Sequence, residues 1–435
     1  MRPSLRKAAA LPIVFVVATT IAWLRVPGSA RGTFWAEDAQ IFSARALGQS
    51  STPWGVLSSY DGYVHAIPQT VANFIWATVP VTHAAVAFTA AASAIVGVVA
   101  AMVYALTGSW VRSRAARLLL AAVTVCAPGL PYETLGNVAN IHWYLLWLAP
   151  FLFLFRPRAW WTATLAAAGG LLILATEIQA IVFAPLLLLH LRDRRRWPLI
   201  AGVAAGIAVQ ALALLGGGRT TGTDLPSLWS VVQGYVLQVP LLAVTGSGEA
   251  ASAAVGWSGW PLAWAALLPF AASTAAVVYL RRRSIAAAAA VYLFGASVLI
   301  WSAGYALNRS SAFDFSAADM GVLLGGVPLL RYAVVPLMLL LAVVIVMLDA
   351  LIERREGTAA AVIAATLLAV FVAGFTTPVV SPRSLGPTWQ EGIQTAEREC
   401  AQDGGQGVVE IRTAPLYGEW ALPLPCDRID VAVSR

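Results

Sequence analysis

Two adjacent carboxylates, Glu37 and Asp38, are the residues of this sequence whose types and placement best suit chemistry. They lie in the segment FWAED (34–38), just after the first apolar run, and Arg45 follows seven residues beyond Asp38. On a helix that begins near Thr33, Asp38 and Arg45 would share one face with their Cα atoms about 10 Å apart. A substrate that carries a hydroxyl and a phosphate could bridge them. In the alternative interpretation, the acidic pair only stabilises the positive end of a helix dipole.

The amino-acid composition places these residues in a membrane protein. Hydrophobic residues make up 59% of the chain and charged residues 11%, with a mean hydropathy of +0.75, whereas charged residues make up about a quarter of a soluble domain. The net charge of +7 does not indicate a nucleic-acid partner, because the basic residues stand in short runs between apolar segments. All but one of the 28 basic residues are Arg, which indicates high-GC coding and an actinobacterial source.

Apolar runs of roughly 17 to 25 residues can cross the hydrocarbon core as helices. Two longer regions, 118–155 and 160–191, are broken near their middles, at 128–133 and at 176–179. Each therefore predicts a hairpin of two short helices, while residues 226–240 predict an amphipathic helix at the membrane interface. Seven further runs predict single spans and bring the total to eleven: 8–26, 84–107, 197–216, 259–280, 284–303, 329–349 and 357–376.

The distribution of charge predicts the orientation. Under the positive-inside rule, the Arg clusters that flank the two hairpins face the cytoplasm, so the amino terminus lies inside and the carboxyl terminus outside. This places 17 of the 28 basic residues in short inner loops and 17 of the 21 acidic residues outside, where the longest loop is 27–83. The first span is interpreted as uncleaved rather than as a signal peptide. Carboxylate chemistry is thus expected on the extracytoplasmic face.

The chain is predicted to divide into a transmembrane domain, 1–376, and a small α+β cap outside the membrane, 377–435. The cap is too small for a large core of its own, so it is expected to pack on the outer loops. Cys400 and Cys426 could form a disulfide, which fits an oxidising exterior and would stabilise the cap by about 3 kcal/mol on the chain-entropy model. One helix and two short strands are predicted in the cap: Trp389 to Cys400, 407–413 and 428–433.

Two short segments of the first outer loop, WAED (35–38) and YDGYVHAIP (60–68), combine with eleven predicted spans and an outer cap. In this combination the chain resembles the GT-C superfamily of membrane glycosyltransferases. The resemblance implies an all-α polytopic fold that transfers a sugar, with inversion, from a polyprenyl-phosphate donor to a cell-envelope glycan or lipid acceptor. The reaction would take place at the extracytoplasmic face of the plasma membrane.

The resemblance also implies roles for the acidic pair and for nearby arginines. One carboxylate would act as general base on the acceptor hydroxyl, and Asp38 is favoured over Glu37 because it shares the assumed helix face with Arg45. The same carboxylates could instead accept hydrogen bonds from the acceptor, or bind Mg²⁺ or Mn²⁺ as some members of the superfamily do. Arg331, at the outer start of a span, is the leading ligand for the donor phosphate, followed by Arg309 and Arg45. In the alternative interpretation, the Arg331 side chain only extends (snorkels) to the membrane interface.

Polar and aromatic side chains near the outer boundary are candidates for binding the sugar or the acceptor. Amides and aromatic rings suit a sugar, but Trp and Tyr also line the interface of any membrane protein, and a histidine there could be a hydrogen-bonded core residue. A carboxylate on a hairpin turn would matter if it were buried against the bundle. The candidates are His65, Tyr63, Asn137, Asn140, His142 and Glu177.

Two other classes of function fit the composition. A lipid-linked-sugar flippase or transporter is less favoured, because transporters usually show internal repeats and polar groups near the middle of their spans, while the carboxylates here gather in outer loops. A non-catalytic scaffold for envelope assembly would bind a partner through its outer cap. Membrane lipids are partners in all three classes.

Overall fold

The computed structural model describes residues 3–48, 53–215, 225–308, 314–316, 329–377, 379–402 and 404–429. Within these ranges the chain is mostly helical, with two small antiparallel sheets of two strands each. Arg309 lies outside the described residues, so its role at the donor phosphate stays a prediction.

The α-helices are numbered in chain order. In the amino-terminal half they are α1 (Pro3–Arg25), α2 (Gly28–Arg31), α3 (Ala44–Gly48), α4 (Ala66–Thr78), α5 (Ala84–Leu106), α6 (Arg114–Cys126), α7 (Leu130–Glu133), α8 (Ile141–Leu154), α9 (Trp160–Leu174) and α10 (Trp197–Leu215). In the carboxyl-terminal half they are α11 (Leu228–Val236), α12 (Leu242–Thr245), α13 (Gly248–Ser258), α14 (Trp260–Ala265), α15 (Leu268–Leu280), α16 (Ile285–Leu307), α17 (Val334–Glu353), α18 (Gly357–Thr376) and α19 (Trp389–Gln402).

Other regular segments connect these helices. The strands are β1 (Ser59–Tyr60), β2 (Tyr63–Val64), β3 (Val408–Arg412) and β4 (Ala421–Pro425). The π-helical turns are Asp38–Ser43 and Leu237–Leu241. The 3₁₀ segments are Pro53–Leu57, Val81–His83, Thr107–Ser109, Ile178–His190, Arg194–Arg196, Arg331–Ala333 and Cys426–Arg428.

Among the described residues, seven helical segments are long and apolar enough to cross a membrane, which supports a membrane-embedded protein. They are Val81–Ser109, Arg194–Leu215, Leu228–Thr245, Trp260–Leu280, Ile285–Leu307, Arg331–Glu353 and Gly357–Thr376. Four shorter apolar helices accompany them: Ala10–Arg25, Ile141–Leu154, Trp160–Leu174 and Ile178–His190.

Both predicted hairpins break where the sequence indicates. In the first, α6 ends at Cys126 and α8 begins at Ile141, with Gly129 in a left-handed conformation at the break (φ +77°). In the second, α9 ends at Leu174 and a 3₁₀ segment begins at Ile178. The interruptions matter because each one carries polar side chains to the same end of the bundle.

The helix predicted over residues 226–240 is longer in the structure than the sequence indicates, and its place at the membrane interface stays a prediction. A helical segment runs from Leu228 to Thr245, which is 18 residues and apolar enough for a membrane span. The segment continues past Pro240 because that proline sits in the π-helical turn Leu237–Leu241. Proline lacks an N–H and ordinarily breaks a helix, and a π-turn is one of the distortions through which a helix accommodates such a site.

Helix α17 is the central helix of the bundle. It packs against α6, α8, α15, α16 and α18, and most of its side chains are buried. A helix that is apolar on all sides is expected in such a position. Because the segment Arg331–Glu353 is continuous, its two ends lie about 33 Å apart at 1.5 Å per residue.

A network of charges ties together the helices at the Glu353 end. The Asp349 carboxylate accepts a hydrogen bond from the Ser113 N–H (2.6 Å) and pairs with Arg281 (2.9 Å). Glu353 pairs with both Arg281 (2.6 Å) and Arg112. These contacts join the loop before α6, the end of α15 and the end of α17.

The carboxyl-terminal tail packs on the loop that carries the acidic pair. The Trp389 N–H donates to the Gly32 carbonyl (2.9 Å), and its indole ring lies edge-on to Phe34 with 4.8 Å between ring centroids. Arg383, which is buried, donates to the carbonyls of Thr33 and Gly136. The tail therefore contacts both the first loop and the break of the first hairpin.

The tail contains the predicted helix and one of the two predicted strands. Cys400, in α19, forms a disulfide with Cys426. A second strand, β4, pairs antiparallel with β3, Glu410 opposite Pro423, whereas most of the strand predicted at 428–433 lies outside the described residues. Prolines in β4 obscured this strand in the sequence, although an edge strand tolerates them.

Candidate functional site

A cavity of about 260 Å³ lies beside the start of the central helix at Arg331. This volume is slightly below the usual range for small-molecule sites, about 300–1,000 Å³. The cavity wall is rich in charged, aromatic and imidazole side chains and includes Glu37, Phe42, Tyr60, Asp61, Tyr63, His65, Asn140, His142, Trp143, Glu177, Gln179, Leu214, Leu307, Asn308, Arg331 and Tyr332. The first loop, both hairpin breaks and the central helix thus meet at one site.

Arg331, in the cavity wall, is held between two carboxylates, Glu37 and Glu133. Its NH1 nitrogen lies 2.8 Å from an oxygen of Glu133 and 3.6 Å from an oxygen of Glu37. All three side chains are partly buried. Burial raises the pKa of the Glu133 carboxyl above its ordinary value, and the neighbouring Arg331 opposes this shift. Glu133 therefore takes up a proton more readily than an exposed glutamate does.

The rest of the Arg331 guanidinium is available to a ligand. Within the part of the chain that the structure describes, Nε and NH2 of Arg331 make no hydrogen bond. A guanidinium presents five N–H donors in a planar fork that matches the oxygens of a phosphate or carboxylate. The unused edge of Arg331 can thus receive an anion in the cavity.

Asp38, which the sequence analysis favoured as general base, is enclosed by protein. Its side chain is fully buried, and its two oxygens accept hydrogen bonds from the N–H groups of Val138 (3.0 Å) and Ala139 (2.6 Å). Of the acidic pair, Glu37 lines the cavity. The geometry favours Glu37 for contact with a substrate and gives Asp38 the role of positioning residues 138–139.

A π-helical turn begins at Asp38, directly after Glu37. The helix predicted from Thr33 instead begins at Ala36 and widens at once into the turn Asp38–Ser43. The Ser43 hydroxyl closes this turn by donating to the Asp38 carbonyl (2.6 Å). A π-turn adds a residue to the helical repeat, which changes the face that each later side chain occupies.

The predicted bridge between Asp38 and Arg45 is therefore wrong. The Arg45 guanidinium donates to the carbonyls of Ser58 (3.4 Å) and Ser59 (2.7 Å), so it holds the loop just before the β1–β2 hairpin. Desolvation by burial lowers the pKa of Arg45. Arg45 thus supports the loop, and its role as a phosphate ligand stays a prediction.

The titration of Asp38 predicts a pH-dependent stability. Burial raises the pKa of Asp38 to about 7, while Arg383 and the two backbone N–H groups oppose the shift. A carboxyl whose pKa is higher in the folded state than its ordinary value near 3.9 binds more protons when folded. Its contribution to stability is complete below pH ~4 and is lost as the pH rises to ~7. We expect the melting temperature of the Asp38→Asn variant, relative to the parent, to rise across this interval.

Thermal unfolding in detergent at several pH values tests this expectation. An Asn side chain has one acceptor oxygen where Asp has two, so one of the two backbone N–H groups would face the amide nitrogen and lose its hydrogen bond. The variant should therefore be less stable than the parent at pH 4. The difference should shrink towards pH 7. If the difference between the melting temperatures of the parent and the variant stayed constant from pH ~4 to ~7, the raised pKa of Asp38 would be contradicted.

A tight hairpin carries two tyrosines into the cavity wall. Strands β1 and β2 are joined by the two-residue turn Asp61-Gly62, whose φ angles are +53° and +87°. An Asp-Gly pair in left-handed conformations is typical of the hairpin turn that matches the twist of the strands. The turn places Tyr60 and Tyr63 beside the cavity.

Gln210 fixes this hairpin to the membrane bundle. Its side chain is fully buried in α10; the Oε1 atom accepts from the Val64 N–H (2.9 Å), and Nε2 donates to the carbonyls of Val64 (3.1 Å) and Leu174 (2.8 Å). The sequence analysis missed this residue. The available signal was a lone amide inside an otherwise apolar span, which is costly and so usually has a specific partner.

Replacing Gln210 with Met should loosen the hairpin. The change leaves three backbone groups without partners, and each unsatisfied buried group costs about 1–3 kcal/mol. We expect a lower melting temperature and weaker ligand binding in the cavity. Leu212→Met on the exposed face of the same helix is the control. Equal melting temperatures for the two variants would contradict a stabilising role of the Gln210 hydrogen bonds to Val64 and Leu174.

The predicted substrate-binding residues divide into two groups. Tyr63, His65, Asn140, His142 and Glu177 all line the cavity. Asn137 is buried, and its Oδ1 atom accepts a hydrogen bond from the Asn140 N–H (2.9 Å). Asn137 therefore shapes the turn between α7 and α8 rather than the cavity wall.

Glu133 is the most important residue to which the sequence analysis gave no role. Its partner Arg331 is 198 residues away, so no local spacing could reveal the pair. Its position in a break between two apolar helices was the available signal, because a carboxylate there must lie at a membrane boundary.

The described residues contain no group of three or more His, Cys, Asp or Glu side chains placed to hold a metal ion. Comparisons of the chain with protein-family models, with curated proteins and with solved structures found no match. The function must therefore follow from the chemistry of the cavity.

Proposed function

We propose that the protein is an integral-membrane inverting glycosyltransferase that takes its sugar from a polyprenyl-phosphate donor. The acceptor would be a glycan or lipid of the cell envelope. The observation that carries the proposal is the arrangement around Arg331, whose guanidinium is fixed by Glu133 and Glu37 on one nitrogen while its other donors face no hydrogen-bond partner in the described residues. A phosphate ligand and a proton acceptor can thus lie in one cavity.

The distribution of charge supports an extracytoplasmic site in an eleven-span, GT-C-like topology. Arginines gather at the Glu353 end of α17, at Arg112 and Arg281, which the positive-inside rule assigns to the cytoplasm. Arg331 is at the opposite end of the same continuous segment. The tail packs on the loop bearing Glu37, and its disulfide fits an oxidising compartment.

Two exposed leucines support a donor that is carried by a lipid. Leu214 and Leu307 line the cavity, and about half of each side chain is exposed (51% and 47%). They stand at the ends of α10 and α16. An isoprenoid chain could pass between these helix ends into the membrane while its phosphate contacts Arg331.

The reaction is a single displacement at the anomeric carbon of the donor sugar. The acceptor oxygen forms a bond to this carbon as the bond from the carbon to the phosphate oxygen breaks. Arg331 stabilises the departing polyprenyl phosphate, which keeps the electron pair of the broken bond. Glu37 accepts the proton of the acceptor hydroxyl, a role that typically contributes about 10²–10⁴-fold to the rate.

The proposal is tested with the full chain in nanodiscs. Polyprenyl-phosphate sugars labelled in the sugar, covering several hexoses and pentoses, are incubated with extracted envelope glycans and lipids. We expect release of polyprenyl phosphate and a new glycosidic bond with inverted anomeric configuration, detected by mass spectrometry and NMR.

A proteoliposome assay with the same donors separates transfer from transport. Movement of the intact donor across the membrane with no new glycosidic bond would overturn the glycosyltransferase proposal in favour of a flippase. If no donor were either moved across the membrane or used for transfer, the glycosyltransferase proposal would also be overturned.

A further inference from the structure

Part of the cavity wall presents hydrogen-bonding groups that phosphate binding and proton removal by Glu37 do not use. These groups belong to His65, His142, Glu177 and Gln179. The His65 and His142 rings lie edge to face with 5.8 Å between centroids, so the two imidazoles form one cluster. We call this set the imidazole cluster.

Glu177 orients the ring of His142. One Glu177 oxygen contacts His142 Nδ1, and the other accepts from the Gln179 N–H (2.8 Å). Both side chains are buried. Because a carboxylate can only accept, Nδ1 of His142 carries a proton and donates it to Glu177. Glu177 thus fixes the orientation of the His142 ring in the cavity wall.

His65 is a buried imidazole whose two nitrogens lack hydrogen-bond partners in the part of the chain that the structure describes. Its side chain is 5% exposed, and neither ring nitrogen has a hydrogen-bond partner among the described residues. Burial lowers the pKa of His65 well below its ordinary value, and His142 adds to the shift. A neutral imidazole offers one donor and one acceptor. Leaving both unsatisfied costs stability, which is expected where a ligand completes the hydrogen bonds.

Aromatic rings flank both histidines. Tyr63 lies 4.2 Å from His65 and Trp143 lies 4.6 Å from His142, measured between ring centroids, and both rings line the cavity. Hydrogen-bonding groups beside aromatic faces suit a ligand with several hydroxyls and apolar C–H faces. The Oε1 atom of Gln179, also buried and unpartnered in the described residues, adds another acceptor.

We infer that the imidazole cluster is a separate subsite for the neutral, polyhydroxylated ring of the acceptor, with His65 and His142 as positioning residues that bind adjacent hydroxyls. The inference rests on the proposed function, because it divides that cavity into an anionic-ligand end at Arg331 and a hydroxyl-binding end at His65. The cluster contains no guanidinium, so the subsite should bind neutral glycosides independently of phosphate.

The decisive variant is His65→Phe, which keeps an aromatic ring but removes both nitrogens. If His65 were a structural residue, the change would lower the melting temperature. If it binds ligand, removing two unpartnered buried polar atoms should leave the melting temperature unchanged or raise it, while binding of neutral glycosides falls at least tenfold. Glu177→Gln, which weakens the orientation of His142, should also lower glycoside binding. His83→Ala, outside the cavity wall, is the control.

Binding is measured by saturation-transfer NMR on the full chain in nanodiscs, with a panel of methyl hexosides and pentosides and, separately, with polyprenyl phosphate that carries no sugar. We expect His65→Phe to lose the glycosides and keep polyprenyl phosphate within twofold, and Arg331→Met to do the reverse. Glycoside binding that survives in His65→Phe, or that the parent does not show for any member of the panel, would overturn the subsite. Glycoside binding without any transfer activity would instead leave the subsite standing and count against the proposed function.

Discussion

Replacing Glu37 with Gln is expected to slow glycosyl transfer by about 10²–10⁴-fold, the usual contribution of a positioned general base. Gln has nearly the same shape but cannot accept the proton of the acceptor hydroxyl. Since Glu133 holds Arg331 at 2.8 Å and Glu37 lies 3.6 Å away, the guanidinium should stay in place. The expected signature is therefore a fall in kcat with a KM for the lipid donor that changes little.

Two neighbouring carboxylates serve as controls for this prediction. Glu133→Gln removes the closer partner of Arg331 and should alter donor binding more than kcat. Asp38→Asn perturbs residues 138–139, so its loss of activity should accompany a lower melting temperature. A Glu37→Gln protein that keeps more than a tenth of the parent kcat would refute Glu37 as the base, and a stable but inactive Asp38→Asn protein would restore the base role to Asp38.

The difference between Glu37 and Asp38 shows what the sequence could not decide. The sequence predicted an acidic pair at the start of an outer loop, but adjacent helical positions point in directions about 100° apart. Which carboxylate faces the cavity depends on the π-turn at 38–43 and on backbone donors at Val138 and Ala139, a hundred residues away. No local pattern encodes that partner.

The elements that bear the site were more predictable than its contacts. Breaks in the apolar runs near Pro128 and Glu177 are visible as polar or turn-forming residues, and the Asp61-Gly62 turn is a strong hairpin signal. The pairing of His142 with Glu177 and the clamp of Gln210 on Val64 depend on how the helices pack. Apolar helices fit together in many registers, so the sequence indicates where they are far better than which helices they pack against.

Arg383, in the carboxyl-terminal tail, joins segments that are far apart in the sequence. Arg383 donates to Thr33 and Gly136 and to the Thr89 hydroxyl (2.7 Å), so one buried guanidinium joins the first loop, the first hairpin break and α5. Burial lowers the pKa of Arg383 to about 10. The three hydrogen bonds of the guanidinium offset the energetic cost of burying its charge. Glu37 and Glu133 lie on the two segments that Arg383 joins.

Replacing Arg331 with Met is expected to have the second large effect, a loss of about 10²–10³-fold in kcat/KM for the lipid donor. Each hydrogen bond between charged groups contributes about 1.5–3 kcal/mol, and a phosphate at the open edge of Arg331 would lose at least one or two. The same change leaves Glu37 and Glu133 without their shared cation, so repulsion of the phosphate adds to the loss. The donor KM should rise, while the acceptor KM changes little.

Arg331→Lys separates charge from geometry, because lysine keeps the positive charge but lacks the planar fork. We expect it to recover part of the lost donor affinity and to leave a defect of about tenfold. The double variant Arg331→Met/Glu133→Gln, which removes one of the two stranded carboxylates, should be more active than Arg331→Met alone. Arg282→Met is the matched control, since Arg282 stacks on Tyr279 far from the cavity. Equal donor KM values for Arg331→Met and Arg282→Met would contradict phosphate binding by Arg331 and, with it, the division of the cavity into two ends.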